Sequence, residues 1–372
     1  MTGQPRILFL ALDTFSQMGG IQRFNQRILE TLDKRRAAGL CHVSCHVMRD
    51  TAADIPAGLA PFVTAFGPDR FGFLRRSFAA ARRHDILIVG HINLLPVAWG
   101  LKRLNPRLKL VMFVHGAEAW DDPIYRVKRR YEPFMLRSVD RIASVSDYTA
   151  RIMAMKFDVP PSKFALFPNT VDGPVDTART PAEAPRILAV SRMAGHDRAK
   201  HLDTLIRAMA ELPTELAGAR LDIIGDGVLR PELETLCAEL GQSHRITFHG
   251  RVDDAALLAA YEGARVFALP SAKEGFGIVY LEAWRYALPV ICSTRGASTE
   301  IVTDGLDGYA VDPTDHALLA RRLAALLGDY DLARRLGQAG ARKLAEHYLR
   351  PNLEANLGDL LTSCGGEERM AA

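Results

Sequence analysis

No run of apolar residues in this chain approaches the ~20 that a helix needs to cross a bilayer. A helical membrane-spanning protein is therefore not expected. The first apolar run, Ile7-Leu-Phe-Leu-Ala-Leu12, is too short for the core of a secretory signal. That predicts a cytoplasmic protein, or one held peripherally on the inner face of the cytoplasmic membrane. Cysteine is scarce and odd in number: Cys41, Cys45, Cys237, Cys292 and Cys364. Such thiols, mostly in core-like segments, read as reduced and buried and not as a disulfide framework. The run Cys41-His-Val-Ser-Cys-His46 has the wrong spacing for haem attachment. As a strand it would put Cys41, Val43 and Cys45 on one face and His42, Ser44 and His46 on the other, so no metal site is expected there. The three spaced glycines of a dinucleotide fingerprint are missing too, which disfavours a nicotinamide-dependent oxidoreductase.

What is present is the make-up of an ordinary globular protein, 48% hydrophobic and 24% charged. Its 372 residues suffice for two domains with full cores. The net charge of +4 hides an asymmetry: residues 1–175 carry 25 Lys+Arg against 15 Asp+Glu, and the remainder 22 against 28. A basic first half attracts an anionic lipid surface, a phosphorylated substrate or nucleic acid, whereas the acidic second half suits a different partner.

Apolar runs that read as fully buried parallel strands recur: Ile7–Leu12, 41–47, Asp85–Val89, Leu108–Val114 and 141–146, then Arg186–Val190, 221–224, 246–250, 264–269 and 289–292. Helical patterns lie between them, which is the alternation of doubly wound sheets. Gly173 to Pro185, with three prolines and no large aromatic residue, reads as a linker. The expected organisation is a first domain over 1–172 and a second over 186–350. A last helix over about 351–364 is expected to return to the first, followed by a frayed tail. Asp304 to Pro313 reads as a turn-rich loop.

The most informative stretch is Leu269-Pro-Ser-Ala-Lys-Glu-Gly-Phe-Gly-Ile-Val-Tyr-Leu-Glu-Ala-Trp284. A strand, a turn with Gly275 and Gly277, and a helix start aim several backbone N–H groups at one point, where anions or sugar hydroxyls bind. Glu274 and Glu282 bracket it. Upstream, Ser191-Arg-Met-Ala-Gly-His-Asp-Arg-Ala-Lys200 leaves a strand and carries Arg192 and Lys200, with Arg198 as a rival cation. Gly19-Gly20 closes the loop after the first strand, and His115 follows the strand ending at Val114. Polar residues at such strand ends face the ligand crevice of open α/β sheets. His91 and Asn93 are weaker candidates of the same kind.

Glu274-Gly-Phe-Gly-Ile-Val-Tyr-Leu-Glu282 resembles the paired-glutamate motif of the retaining glycosyltransferases of family 4. The resemblance spans about residues 6–350 and is densest in 186–310. It implies a GT-B fold, two Rossmann-like α/β domains with doubly wound parallel sheets facing a cleft. It implies a nucleotide-diphosphate sugar as donor, bound largely by the second domain. Arg192 and Lys200, helped by the Gly20 N–H, would stabilise the leaving diphosphate. Glu274 and the backbone of Gly275, Phe276, Gly277 and Ile278 would orient the sugar, with His115 on its other side. Glu282 would hold the ribose, and the loops at Gly225 and Val252 would lie near the nucleotide. No metal and no further cofactor is implied, and the donor is a GDP- or UDP-sugar. Transfer of a hexosyl group, mannose, glucose or similar, to a glycan or lipid-linked acceptor in bacterial exopolysaccharide or lipopolysaccharide assembly is the expected activity. Another nucleotide-sugar enzyme on the same fold and a non-catalytic binding protein are the alternatives.

A basic, aromatic segment, Asp69 to Arg83, would as a helix align Phe71, Leu74 and Phe78 between Arg70, Arg75, Arg76, Arg82 and Arg83. That composition suits contact with an anionic membrane surface. Tyr125-Arg-Val-Lys-Arg-Arg130 is a second such cluster. Nucleic acid is not an expected partner.

Overall fold

The computed structural model describes residues 4–17, 19–175 and 185–366. The middle of the expected linker and the last six residues of the expected frayed tail lie outside the described residues. The chain divides into two compact units, one of residues 1–169 with 351–372 and one of 170–350.

The first unit starts with β1 (Arg6–Ala11), α1 (Gly20–Ala37), β2 (His42–Val47) and β3 (Val63–Ala65). It continues with α2 (Arg70–Ala81), β4 (Ile86–Val89), α3 (Leu95–Leu104), β5 (Lys109–Val114), α4 (Glu132–Leu136), β6 (Arg141–Ser144), α5 (Asp147–Phe157) and β7 (Phe164–Leu166). Seven strands form one sheet in the order β3-β2-β1-β4-β5-β6-β7, and their pairings are parallel. Alternate side chains of β1 enter two cores. Ile7, Phe9 and Ala11 pack on one face with Ile28 and Leu32 of α1, and Leu8 and Leu10 on the other with Phe73, Ala98 and Leu101. Burial on both faces is why these strands read as continuous apolar runs. The strand order reverses beside β1, so the loops after β1 and β4 flank a switch point.

The second unit holds β8 (Arg186–Val190), α6 (Leu202–Ala210), β9 (Arg220–Ile224), α7 (Arg230–Glu239), β10 (Ile246–Gly250) and α8 (Asp254–Gly263). β11 (Val266–Ala268), α9 (Ile278–Arg285), β12 (Val290–Ser293), α10 (Ser298–Ile301), β13 (Gly308–Val311), α11 (His316–Gly328) and α12 (Tyr330–His347) follow. Its six parallel strands run β10-β9-β8-β11-β12-β13. Two expectations need correction. The loop foreseen over 304–313 contains β13, an edge strand. Four residues bounded by glycine and aspartate are too short to show a strand period, and pairing with β12 is what makes them a strand. In α2 the residues turned to the sheet are Gly72, Phe73, Ser77 and Ala81. Phe71 is 76% exposed and Leu74 38%, so their stripe faces away from the core. Among the described residues no helix is long and apolar enough to cross a membrane.

The last helix, α13 (Arg350–Leu361), belongs to the first unit's core. Leu353, Leu357, Leu360 and Leu361 recur at helical spacing and join the cluster of Phe9, Ile28 and Leu32, while Lys34 of α1 pairs with Glu354 at 2.5 Å. Leu357 is fully buried. Leu357→Ala should therefore cost about 2–5 kcal/mol in the first unit. Urea unfolding followed by probes in each unit checks this: the first unit's midpoint should fall and the second's should stay.

Candidate active site

In the second unit, three loops at the strands' C-terminal ends converge on Glu274. The loop after β8 is tied to the loop after β9, where the Met193 N–H donates to the Asp226 carbonyl at 3.0 Å. Close approach of these loops needs glycine. A Cβ on Gly225, at φ 126°, would lie 1.9 Å from the Ser191 carbonyl oxygen. The Ala272 N–H donates to the Ala199 carbonyl at 2.7 Å, which links the Lys200 loop to the Glu274 loop, and the Ala297 N–H donates to the Glu274 carbonyl at 3.1 Å. Between these ties, Lys200 Nζ lies 2.5 Å from Glu274 Oε1, with 18% and 13% of the two side chains exposed. Arg198 points elsewhere, paired at 2.5 Å with Glu232 on the surface. Of the two rival cations, Lys200 is the one placed at Glu274.

Arg192 is 73% exposed along its side chain, and its guanidinium lies 3.5 Å from Asp197 Oδ1. Asp197 is 3% exposed and also accepts the Ala194 N–H at 3.0 Å. It anchors the loop that carries Arg192. Gly275, Phe276 and Gly277 are buried and run into α9, whose first residue is Ile278. Gly277 caps that helix at φ 96°, where a Cβ would strike the Tyr280 ring. The Tyr280 hydroxyl in turn donates to the Leu269 carbonyl at 2.9 Å. Phe276 packs edge-on to Tyr348. One turn into α9, Glu282 accepts a hydrogen bond from the buried Tyr261 hydroxyl at 3.1 Å. Burial, reinforced by the Glu282 charge, raises the Tyr261 pKa well above the usual phenol range. The half-buried Val252 follows β10, in the turn beyond Gly250, whose carbonyl accepts the Gly225 N–H at 2.8 Å.

In the first unit the loop after β1 is held by Asp50, which is fully buried. Its carboxylate accepts the N–H groups of Thr14 at 2.9 Å and Phe15 at 2.8 Å and the Ser16 hydroxyl at 2.5 Å. Gly19 is extended and Gly20 opens α1. Apart from its chain neighbours and its own helix backbone, no described atom lies within 4 Å of a Cβ built on Gly20, so packing alone does not demand glycine there. His115 follows β5, with its Nε2 3.3 Å from the Gly90 carbonyl and its ring edge-on to Phe24 at 4.8 Å. Burial lowers its pKa, opposed by Glu118, so the ring is neutral at neutral pH. His91 spends its Nδ1 on the Asn93 N–H at 3.1 Å, a capping contact. Asp50, Glu118, Asp197 and Tyr261 were missed by sequence reasoning. Only Glu118 left a local signal, as the fourth residue of His115-Gly-Ala-Glu118. Among the described residues no group of three or more His, Cys, Asp or Glu could hold a metal ion.

Gly225→Ala adds a Cβ against backbone at a left-handed φ. It should destabilise the second unit by at least about 1–3 kcal/mol. Thermal unfolding checks this, with Gly218→Ala as control, since a Cβ there meets nothing within 4 Å.

Residues 18–173 match the family model described as Glycosyltransferase Family 4, and residues 177–343 match the one described as Glycosyl transferases group 1. A GDP-mannose-dependent alpha-(1-6)-phosphatidylinositol monomannoside mannosyltransferase of Mycobacterium tuberculosis is 29% identical over 96% of this chain and 98% of its own. The lipopolysaccharide core biosynthesis glycosyltransferase LpsE of Rhizobium meliloti is 34% identical, over 51% of this chain and 54% of that one. Among solved structures, Anabaena HepE in complex with UDP and glucose superposes with a TM-score of 0.78 at 17% identity, over 97% of this chain and 100% of that one. Sucrose-phosphate synthase from Thermosynechococcus elongatus gives 0.75 at 23%, over 96% and 98%. At such identities the likeness to solved structures establishes the fold, GT-B.

Proposed function

Because the chain belongs to glycosyltransferase family 4, and so is an enzyme that transfers a sugar, we propose that it is a retaining hexosyltransferase using a GDP- or UDP-sugar. The acceptor is a glycan or a lipid-linked sugar in bacterial exopolysaccharide or lipopolysaccharide assembly. The observation that carries this reading is the Lys200–Glu274 pair, a cation and a carboxylate held together at 2.5 Å where loops after parallel strands converge.

In this reading Lys200 and Arg192 neutralise the diphosphate as it leaves. Charge grows on that group as the glycosidic bond breaks, so a fixed cation favours the transition state over the ground state. Glu274 and the Gly275–Ile278 backbone orient the sugar, Glu282 holds the ribose, and the loops at Gly225 and Val252 border the nucleotide. The first unit contributes the Gly20 N–H and His115. The C1–O bond to the diphosphate breaks, and the acceptor oxygen bonds C1 on the same face. The acceptor's proton passes to the departing phosphate oxygen, so no carboxylate nucleophile is required. The names of relatives support the donor and acceptor classes: one is a GDP-mannose-dependent mannosyltransferase and one acts in lipopolysaccharide core synthesis.

Thermal stabilisation by a panel of GDP- and UDP-sugars tests the reading. A donor at a hundredfold excess over its dissociation constant should stabilise by about 2.7 kcal/mol, and Glu282→Ala should lose that shift. With the donor found, Lys200→Ala should lower kcat by roughly 10²–10³-fold, while Arg198→Ala should stay near wild type. Equal losses would remove Lys200 from its role.

The outward stripe of α2, Phe71 and Leu74 beside Arg70, Arg75 and Arg76, supports peripheral contact with an anionic membrane. Neutralising Arg75, Arg76, Arg82 and Arg83 together should release the protein from anionic liposomes in a flotation assay. Unchanged flotation rules that contact out.

A further inference from the structure

The first unit contains a buried carboxylate whose position the assigned chemistry does not explain. After His115, Gly116 adopts φ 138° and ψ −88° and turns the chain into a short 3-10 turn, Ala117–Ala119. Glu118 in that turn is 4% exposed. Its Oε1 accepts the backbone N–H of His115, and its own carbonyl lies 3.4 Å from Arg126 Nη1. The carboxylate thus reaches back three residues and fixes the peptide from which the imidazole projects. The ring is held on two further sides, by the Phe24 edge contact and by the Gly90 carbonyl oxygen 3.3 Å from Nε2.

A carbonyl oxygen can only accept, so Nε2 carries the proton in that contact. In a neutral imidazole Nδ1 then bears the lone pair. Among the described residues Nδ1 has no hydrogen-bond partner, and the ring is only partly covered. Burial keeps the ring neutral against the pull of Glu118. The neighbouring His91 also faces Glu118, Arg126 and Asp13.

We propose that Glu118 is a positioning residue: by holding the His115 backbone N–H it keeps the ring where Nε2 meets the Gly90 carbonyl and Nδ1 is offered as a hydrogen-bond acceptor, for a hydroxyl of the substrate and not for a phosphate. A hydroxyl can donate to that lone pair. A phosphate oxygen presents lone pairs of its own and would be repelled. The proposal deepens the transferase reading and rests on it for the identity of the substrate.

The test is the tautomer. In the full-length, uniformly ¹⁵N-labelled chain, long-range proton–nitrogen correlation spectra separate a protonated ring nitrogen from a bare one. The His115 signals are assigned by their loss in His115→Gln. At neutral pH the wild type should give a protonated Nε2 and a bare Nδ1; the opposite tautomer, or an imidazolium, overturns the proposal. Glu118→Gln, whose amide oxygen can still accept the His115 N–H, should keep that pattern. Glu118→Ala should average it. If Glu118→Ala does not fold, Glu118→Asp, one methylene short, replaces it, and an unchanged spectrum there ends the positioning role. Kinetics give an independent arm with the donor found in the panel. His115→Asn, which can place an amide oxygen near the Nδ1 position, should keep kcat/KM within about tenfold. His115→Gln should lose roughly a hundredfold or more. Equal losses overturn the acceptor role. The spectra need no donor, so failure of the transferase reading leaves them readable, and transfer by an enzyme with the wrong tautomer sinks only this proposal.

Discussion

An ammonium and a carboxylate 2.5 Å apart, each more than four-fifths buried, are the constraint on which the second unit's loops depend. Taking two charges out of water costs several kcal/mol per ion, and their attraction does little more than offset that loss. The pair is weak as a source of stability and strong as a demand on geometry. If either loop moved away, one charge would be left buried without a partner. The backbone bonds from Ala272 to Ala199 and from Ala297 to Glu274 hold the loops where the pair can form.

The first unit solves a similar problem with carboxylates and peptide N–H groups. Asp50 gathers the loop after β1, and Glu118 gathers the turn after β5. Both are almost fully buried, and both bind donors that a loop at a strand end would otherwise leave unsatisfied. A carboxylate with several N–H partners is a strong fastener because charge-assisted bonds exceed neutral ones. The loops that carry Gly20 and His115 are thereby fixed by buried carboxylates.

The basic character of the first half also acquires a location. Arg70, Arg75, Arg76, Arg82 and Arg83 are exposed on and after α2, and Phe71 and Leu74 rise among them. Phe73, which faces the sheet, does the packing. One helix thus divides its apolar residues between a core and an outer surface, and its hydrophobic periodicity mixes the two. Reading Phe71, Leu74 and Phe78 as a single stripe joined two outward residues to one that packs against the core.

The sequence by itself determined the two parallel sheets, because strands buried on both faces must be continuously apolar and the helices between them must alternate. It also marked Glu274 to Glu282 as the candidate site, since a glycine turn and two carboxylates are contiguous. Tertiary structure alone decided what lies far apart along the chain. Lys200 meets a carboxylate 74 residues away only through folding, and no local pattern encodes that contact. Asp50 became the anchor of residues 14–16 because β2 lies beside β1. β13 became a strand through pairing with β12, which four residues cannot announce. Local periodicity reports which faces are buried, whereas a site built from separate loops exists only once the strands have set their order.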